Sequence, residues 1–340
     1  MTRSAAALLL VLAAAGCSPA YVYQAAAGHA GLLWRRRRIS ETIADPATPP
    51  ELRRKLELAL AARRFAFDTL HLTRQSVYAY WTPVPGRAVT WLAEASARTE
   101  LKPHLFRFPL IGAFPYKGYF RRDAARAEAA RLESRGLDAT VVGAGAYRTP
   151  LPIADPLPET LLRDDDGELA QTLIHELTHG TVYFRNQSDF DEAVAVWVGA
   201  RGAEAFLLSR GGPDSPEMKQ WRDDEARERA YDEFYARLDG DLAALYALKI
   251  PDAEKLSRRA AIFDSARARA KAAGLRVPET LNNAVVLAQE LYAPDFAPFD
   301  ALFAAEGRDW ARTIAALKSL NRRDPFGDLR SRTSHDAARR

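Results

Sequence analysis

Two histidines four residues apart, His175 and His179, flank Glu176 in the string LIHELTH. On an α-helix this spacing sends both imidazoles from one face, one turn above the other, where they can share a single Zn²⁺ at about 2.0–2.1 Å. Glu176 is turned about 100° around the axis from His175, so its carboxylate is directed at a water held by the metal and not at the metal itself. A base beside a Lewis acid is the equipment of a metal-dependent hydrolase of the metallopeptidase type, with peptide as substrate. With 6 His and 44 Asp plus Glu in 340 residues, a chance match to this pattern is on the order of one in a hundred.

A catalytic zinc takes three protein ligands and leaves the fourth position to water, so a further ligand must lie downstream. The extended pattern with a glycine and a third histidine is excluded, because Val182 and Arg185 stand where those residues would be. The next segment, QSDFDEAVAVWVGARGAEAF, offers Asp189, Asp191, Glu192 and Glu204. Glu192 is the choice, since it opens an apolar helical face, Ala193, Val196, Trp197 and Ala200, that can pack beside the His175 helix and bring its carboxylate to the metal. Asp189 and Asp191 are then supporting carboxylates or helix caps. The oxyanion formed when water attacks a carbonyl needs a donor, for which Tyr292 and Tyr147 are the candidates. Asn282 and Asn283 either orient substrate backbone or, the simpler reading, cap the helix they begin, and His29, His71, His104 and His335 show no ligand spacing.

The elements that must hold these side chains follow from periodicity. In DDDGELAQTLIHELTHGTVYF the Asp cluster caps a helix, Glu168 lies in its first turn, and Leu169, Leu173, Leu177 and Tyr183 form its buried face. Residues 51–72 form an amphipathic helix with Leu52, Leu56, Leu60, Phe67 and Leu70 inward. Between residues 84 and 149, β-branched and aromatic runs broken by Pro and Gly read as short strands around one helix, Arg122 to Arg135, that closes at Gly136. From Leu161 to Leu320 the chain is mostly helical, with charged stretches at 217–247 and 251–274 that read as solvated faces. The expected fold is α+β, zincin-like and predominantly helical, with a small sheet bordering the active-site helix. Its edge, residues 138–147, is where an extended peptide would add as a further strand.

Composition bounds the rest. Hydrophobic content of 48% supports a packed core, and a formal charge of only +4 argues against nucleic acid as a partner. The start, MTRSAAALLLVLAAAGC, reads as a secretory signal over residues 1–16 with Cys17 as the lipidated residue, although Ala14 stands where such a box usually has leucine. Ser18 provides no aspartate-type inner-membrane retention signal, so the expected location is the cell envelope, lipid-anchored in the outer membrane and facing the periplasm. Cys17 is the only cysteine, which leaves the mature chain without an intrachain disulfide or a cysteine-ligated metal. Arg35 to Arg38 read as a solvated helix face or as a contact to anionic lipid. Residues 17–320 are expected to form the catalytic domain and 321–340 a polar, flexible tail.

The strings TELKPHLFRFPLIGAFPYKGYF, LIHELTHGTVYF, FDEAVAVWVGARG and LNNAVVLAQELYAPDFAPFDALFAAEGRDW resemble a bacterial family of predicted aminopeptidases, lipoprotein-like zincins, over roughly Tyr21 to Leu320. The resemblance implies an exopeptidase whose histidine pair is followed by an Asn-Glu pair. Here the match is Phe190-Asp191-Glu192-Ala193, so Glu192 falls on the third-ligand position while Asp191 departs from the usual asparagine. Two cysteines common in the strand segment are replaced by Phe106 or Arg107 and by Ala113, and Leu151-Pro152-Ile153 replaces a Gly-Trp-Phe string before Asp155-Pro156. The Gly-x-Met-Glu-Asn string that reads a free α-amino group in gluzincin aminopeptidases does not occur. Two other functions fit the same residues: a non-catalytic envelope lipoprotein with a structural metal, and a zinc hydrolase of non-peptide cell-wall amides. An intact Glu176 disfavours the first, because a structural site has no use for a base.

Overall fold

The computed structural model describes residues 19–108, 112–145, 155–290 and 295–337. Cys17, Tyr147 and Tyr292, and with them the lipidation and oxyanion-donor readings, lie outside the described residues. In chain order the elements begin with α1 (Pro19–Trp34), β1 (Arg37–Arg38), α2 (Ile39–Ala44), α3 (Pro50–Asp68), β2 (Tyr80–Thr82) and β3 (Thr90–Ser96). They continue with β4 (Phe106–Phe108), β5 (Gly112–Phe114), β6 (Tyr116–Tyr119), α4 (Arg122–Glu133), β7 (Asp138–Ala144) and β8 (Leu157–Pro158). The remainder is helical: α5 (Asp166–His179), α6 (Ser188–Gly211), α7 (Pro216–Tyr246), α8 (Asp252–Ala272), α9 (Asn283–Glu290), α10 (Ala297–Ala305), α11 (Trp310–Lys318) and α12 (Pro325–Ala337). The predominantly helical α+β character read from the sequence is what the chain adopts.

The described residues form two compact units, one within 1–35, 83–148 and 226–291, the other within 36–82, 149–225 and 292–340. In the first, β3 is the centre of an antiparallel sheet of order β6-β3-β7, with Leu92 opposite both Gly118 and Val142. Alternation puts Ala93 and Ala95 on one face, where they are buried with Ala125, Ala129 and Leu132 of α4. Small residues on both sides let helix and sheet approach closely. Gly136, at φ +83, supplies the left-handed residue just after α4 that other side chains resist. A separate cluster joins Leu238, Leu242, Phe263, Ala266 and Val286 of α7, α8 and α9. Asp138, at the start of β7, accepts two bonds from Arg259 at 2.7 and 2.9 Å and one from the Asn283 N–H at 3.1 Å. That satisfies a carboxylate that would be costly to bury alone.

The second unit is built on the hairpin of α5 and α6, with α3, α10, α11 and α12 around it. Its small sheet, β1-β2-β8, precedes α5 in the chain. Within the stretch read as a sheet edge, Asp138–Ala144 forms β7, an edge strand of the first unit's sheet. Helix α3 forms as read, but alanines carry much of its buried face: Leu56, Ala59, Ala62 and Ala66 are inside, whereas Leu52, Leu60 and Phe67 are only partly covered. Picking the large residues overlooked the close approach that alanine permits. The segment read as a flexible tail is also corrected. Residues 325–337 form α12, anchored by a fully buried Leu329 and by Phe326 edge-on to Phe190 at 4.9 Å. Arg330, Ser331 and Arg332 are exposed, so the composition suggested a tail although one apolar edge is enough to hold the helix.

At the centre of this core Trp197 is fully buried, stacked on Phe299 at 5.7 Å, with its indole N–H bonded to Asp300 at 2.8 Å. Trp197→Ala is expected to lower unfolding stability by about 3–5 kcal/mol, measured by urea denaturation, because it empties a large buried site.

Candidate metal centre

Helix α5 begins where the sequence placed it. Asp165 is the N-cap, its side chain accepting the Glu168 N–H at 2.9 Å, and Leu169, Leu173 and Leu177 are fully buried along one face. Tyr183, read as part of that face, is 65% exposed, because the helix stops at His179. Asp166 in the first turn binds Lys55 at 2.7 Å and Arg54 at 2.8 Å, which ties α5 to α3. Burial opposes its charge, yet these two bonds prevail and hold its carboxyl below the usual range. At the other end the Leu177 carbonyl accepts the Gln75 amide at 2.8 Å and the Thr181 hydroxyl at 3.1 Å, with the Thr73 N–H bonded to that hydroxyl at 3.0 Å. Gly180 makes room for this cap, since a Cβ there would lie 2.4 Å from the Gln75 side chain. His179, the last helical residue, is thereby fixed.

Helix α6 starts at Ser188, one turn earlier than the apolar face that Glu192 opens. Asp189 is an exposed first-turn residue and not the cap, which is Gln187. Asp191 turns inward, and its carboxylate accepts the Phe184 N–H at 2.8 Å, closing the loop between the two helices. Burial pushes its carboxyl up to about 6 despite that bond. Glu204, 12 residues beyond Glu192, is about 18 Å farther along the helix and cannot share a ligand with the histidines. Asn282 caps α9 through the Val285 N–H at 3.0 Å, and Asn283 bonds the Ala97 carbonyl at 2.9 Å, so both are engaged in structural bonds.

The structure brings His175, His179 and Glu192 together. The two Nε2 atoms are 3.1 Å apart, and the carboxylate of Glu192 spans them, Oε2 at 3.5 Å from His175 and Oε1 at 3.5 Å from His179. Four ligands placed tetrahedrally at about 2.0–2.1 Å are separated from each other by about 3.4 Å. The nitrogens at 3.1 Å, each with one oxygen of the Glu192 carboxylate at 3.5 Å, are near enough to that spacing for two imidazoles and one carboxylate to share an ion, and the two-nitrogen, one-carboxylate set suits zinc. Both histidine side chains are largely covered, at 19% and 15% exposure, while Glu192 is 51% exposed, so the triad opens to solvent on the Glu192 side. Glu176 is half-buried on the same helix. A second cluster among the described residues, Asp165, Glu168 and Asp224, offers only oxygen atoms. Its members are occupied, Asp165 by capping α5 and Asp224 by two bonds from the Gln220 amide.

Two glycines that sequence reasoning passed over set the distance between the helices. A Cβ on Gly199 would lie 3.1 Å from the Gln171 carbonyl and 3.2 Å from the Cβ of His175, and one on Gly202 would lie 2.7 Å from Leu70 and 3.0 Å from Ile174. The signal was the spacing of the two glycines in VGARG. Gly199→Ala is expected to leave stability near wild type, because about 1 kcal/mol of helix propensity offsets the crowding. It should lower zinc affinity on the order of tenfold, since the residue that must yield carries a ligand. Zinc titration against a competing chelator measures this, and unchanged affinity would refute the spacing role. Gln75 and Lys55 were likewise missed as supports, and nothing in their local sequence marks them.

Searches of the curated proteins and of the solved structures return no match. The family model described as "Putative aminopeptidase" matches residues 20–329, and the chain belongs to that family.

Proposed function

We propose that this protein is a zinc-dependent peptide hydrolase of zincin type that removes residues from peptide N-termini. The observation that carries the reading is the convergence of the His175 and His179 Nε2 atoms, 3.1 Å apart, with the Glu192 carboxylate, whose two oxygens each lie 3.5 Å from one of them, beside a glutamate in the position of a base. When bound, zinc would act as a Lewis acid on the scissile carbonyl and acidify the attacking water. Glu176 takes the proton from that water and later delivers it to the leaving amine. His175 and His179 are held at fixed separation by the capped helix, and Glu192 is carried to them by the glycine-spaced packing of α6. Family membership supports peptide as the substrate and the N-terminal end as the point of attack. A mixed peptide library incubated with the zinc-loaded protein, with the products sequenced, tests this. Stepwise release of N-terminal residues is expected. Interior cuts would replace exopeptidase with endopeptidase action, and peptides left intact beside cleaved non-peptide amides would overturn the peptidase reading.

The reading includes attachment to the outer membrane through a lipid on Cys17, supported by the flanking sequence. No helix among the described residues is long and apolar enough to cross a membrane. Cys17→Ala is expected to abolish lipid labelling and move the protein from the membrane fraction to the soluble one. Retention in membranes with unchanged labelling would refute the anchor.

A further inference from the structure

The second unit contains a cavity of about 490 Å³ lined by Arg201, Glu204, Ala205 and Leu208 of α6, Asp300 and Phe303 of α10, and Arg308 and Trp310. That volume lies within the range of small-molecule sites, roughly 300–1,000 Å³. The cavity is remote from the metal centre, since Glu204 follows Glu192 by 12 residues on one helix, about 18 Å along its axis.

Its charges are of two kinds. Arg201 and Asp300 are closed on each other, Nε to Oδ1 at 3.0 Å and Nη2 to Oδ2 at 2.7 Å, and Asp300 is further held by the Trp197 indole. This pair forms a neutral wall. Glu204 touches Arg201 only at 3.7 Å, on a guanidinium already committed to Asp300, so most of its acceptor capacity faces the cavity. Arg308 donates no side-chain hydrogen bond among the described residues, and its charge acts only at longer range on Asp300. It stands at φ +57, next to Gly307 at φ +71, a conformation that costs energy for a residue with a side chain, and as an exposed residue it lines the cavity. One cation with no side-chain hydrogen bond among the described residues and one anion held only at 3.7 Å thus line a shared space. Beside them Phe303 and Trp310 pack at 4.7 Å between ring centroids, with Leu208 and Ala205 completing an apolar surface.

A ligand matching this lining carries a carboxylate, an ammonium group and an apolar side chain, and is neutral overall. We propose that the cavity binds a free α-amino acid with an apolar or aromatic side chain, its carboxylate on Arg308, its ammonium on Glu204 and its side chain against Phe303 and Trp310. A planar guanidinium suits a carboxylate, and the aromatic wall discriminates by side-chain area. The proposal stands apart from the peptidase reading, although a peptidase that frees amino acids would generate this ligand.

Calorimetric titration of the full chain with L-leucine and L-phenylalanine tests it, in zinc-loaded and chelator-stripped protein. Saturable binding is expected in both forms and in Glu192→Gln. N-acetyl-leucine and leucinamide, each lacking one charge, should bind at least tenfold more weakly. Arg308→Gly should weaken leucine at least tenfold without loss of folding, because glycine is at ease at that φ, and Glu204→Gln should weaken it similarly. Wild-type affinity in Arg308→Gly, equal binding of the blocked analogues, or no saturation up to about 10 mM would overturn the proposal. Binding that disappears with the metal or in Glu192→Gln would also overturn it, by placing the ligand at the metal centre, and would leave the peptidase reading intact.

Discussion

Glu176→Gln is expected to reduce peptide cleavage by about 10²–10⁴-fold, the usual cost of losing a general base. The amide has nearly the same size as the carboxylate but cannot accept a proton from the attacking water. His175, His179 and Glu192 are untouched, so zinc content should remain at wild type. Stability should also hold, since Glu176 is half-buried while the packing of α5 rests on Leu169, Leu173, Ile174 and Leu177, all fully buried. Retained metal and retained fold with lost turnover separate a catalytic glutamate from a structural one. A variant that lost its zinc would assign Glu176 to the structure of the site, which is what the non-catalytic lipoprotein reading requires.

Glu192→Gln is expected to weaken zinc by more than the roughly 10–100-fold that losing a residue behind the ligands costs. A neutral amide replaces the one anionic donor, whose two oxygens each lie 3.5 Å from a histidine Nε2. Asp189→Asn should leave zinc affinity unchanged, as Asp189 is exposed and meets only Ser188. Asp191→Asn keeps an acceptor for the Phe184 N–H, so its effect should be a small loss of stability, about 1 kcal/mol, with zinc held nearly as before. Full zinc occupancy in Glu192→Gln would remove it from the ligand set.

The parts of this molecule that were legible in its sequence are those governed by local rules. Helix α5 was readable because its cap, its dipole-matched first turn and its leucine face all lie within one short string, and the histidine pair sits on it at a spacing only a helix makes useful. The approach of Glu192 to the histidines was readable because it heads an apolar face on the next helix. What escaped is what distant segments decide. Gln75 and Thr73 brace the end of α5 from about a hundred residues away, and Gly199 matters for what it lacks against His175. Asp138–Ala144 was legible as an edge strand, whereas alternation specifies a face and not the element that covers it. The tail was misread because a single buried leucine is a weak periodic signal in a polar string.

Chelation followed by zinc titration tests the zinc-dependent hydrolase directly. The stripped protein, still folded by circular dichroism, should cleave no peptide, and activity should return in proportion to added Zn²⁺ with saturation at one equivalent per chain. Full peptide cleavage by protein shown to be free of metal would contradict it.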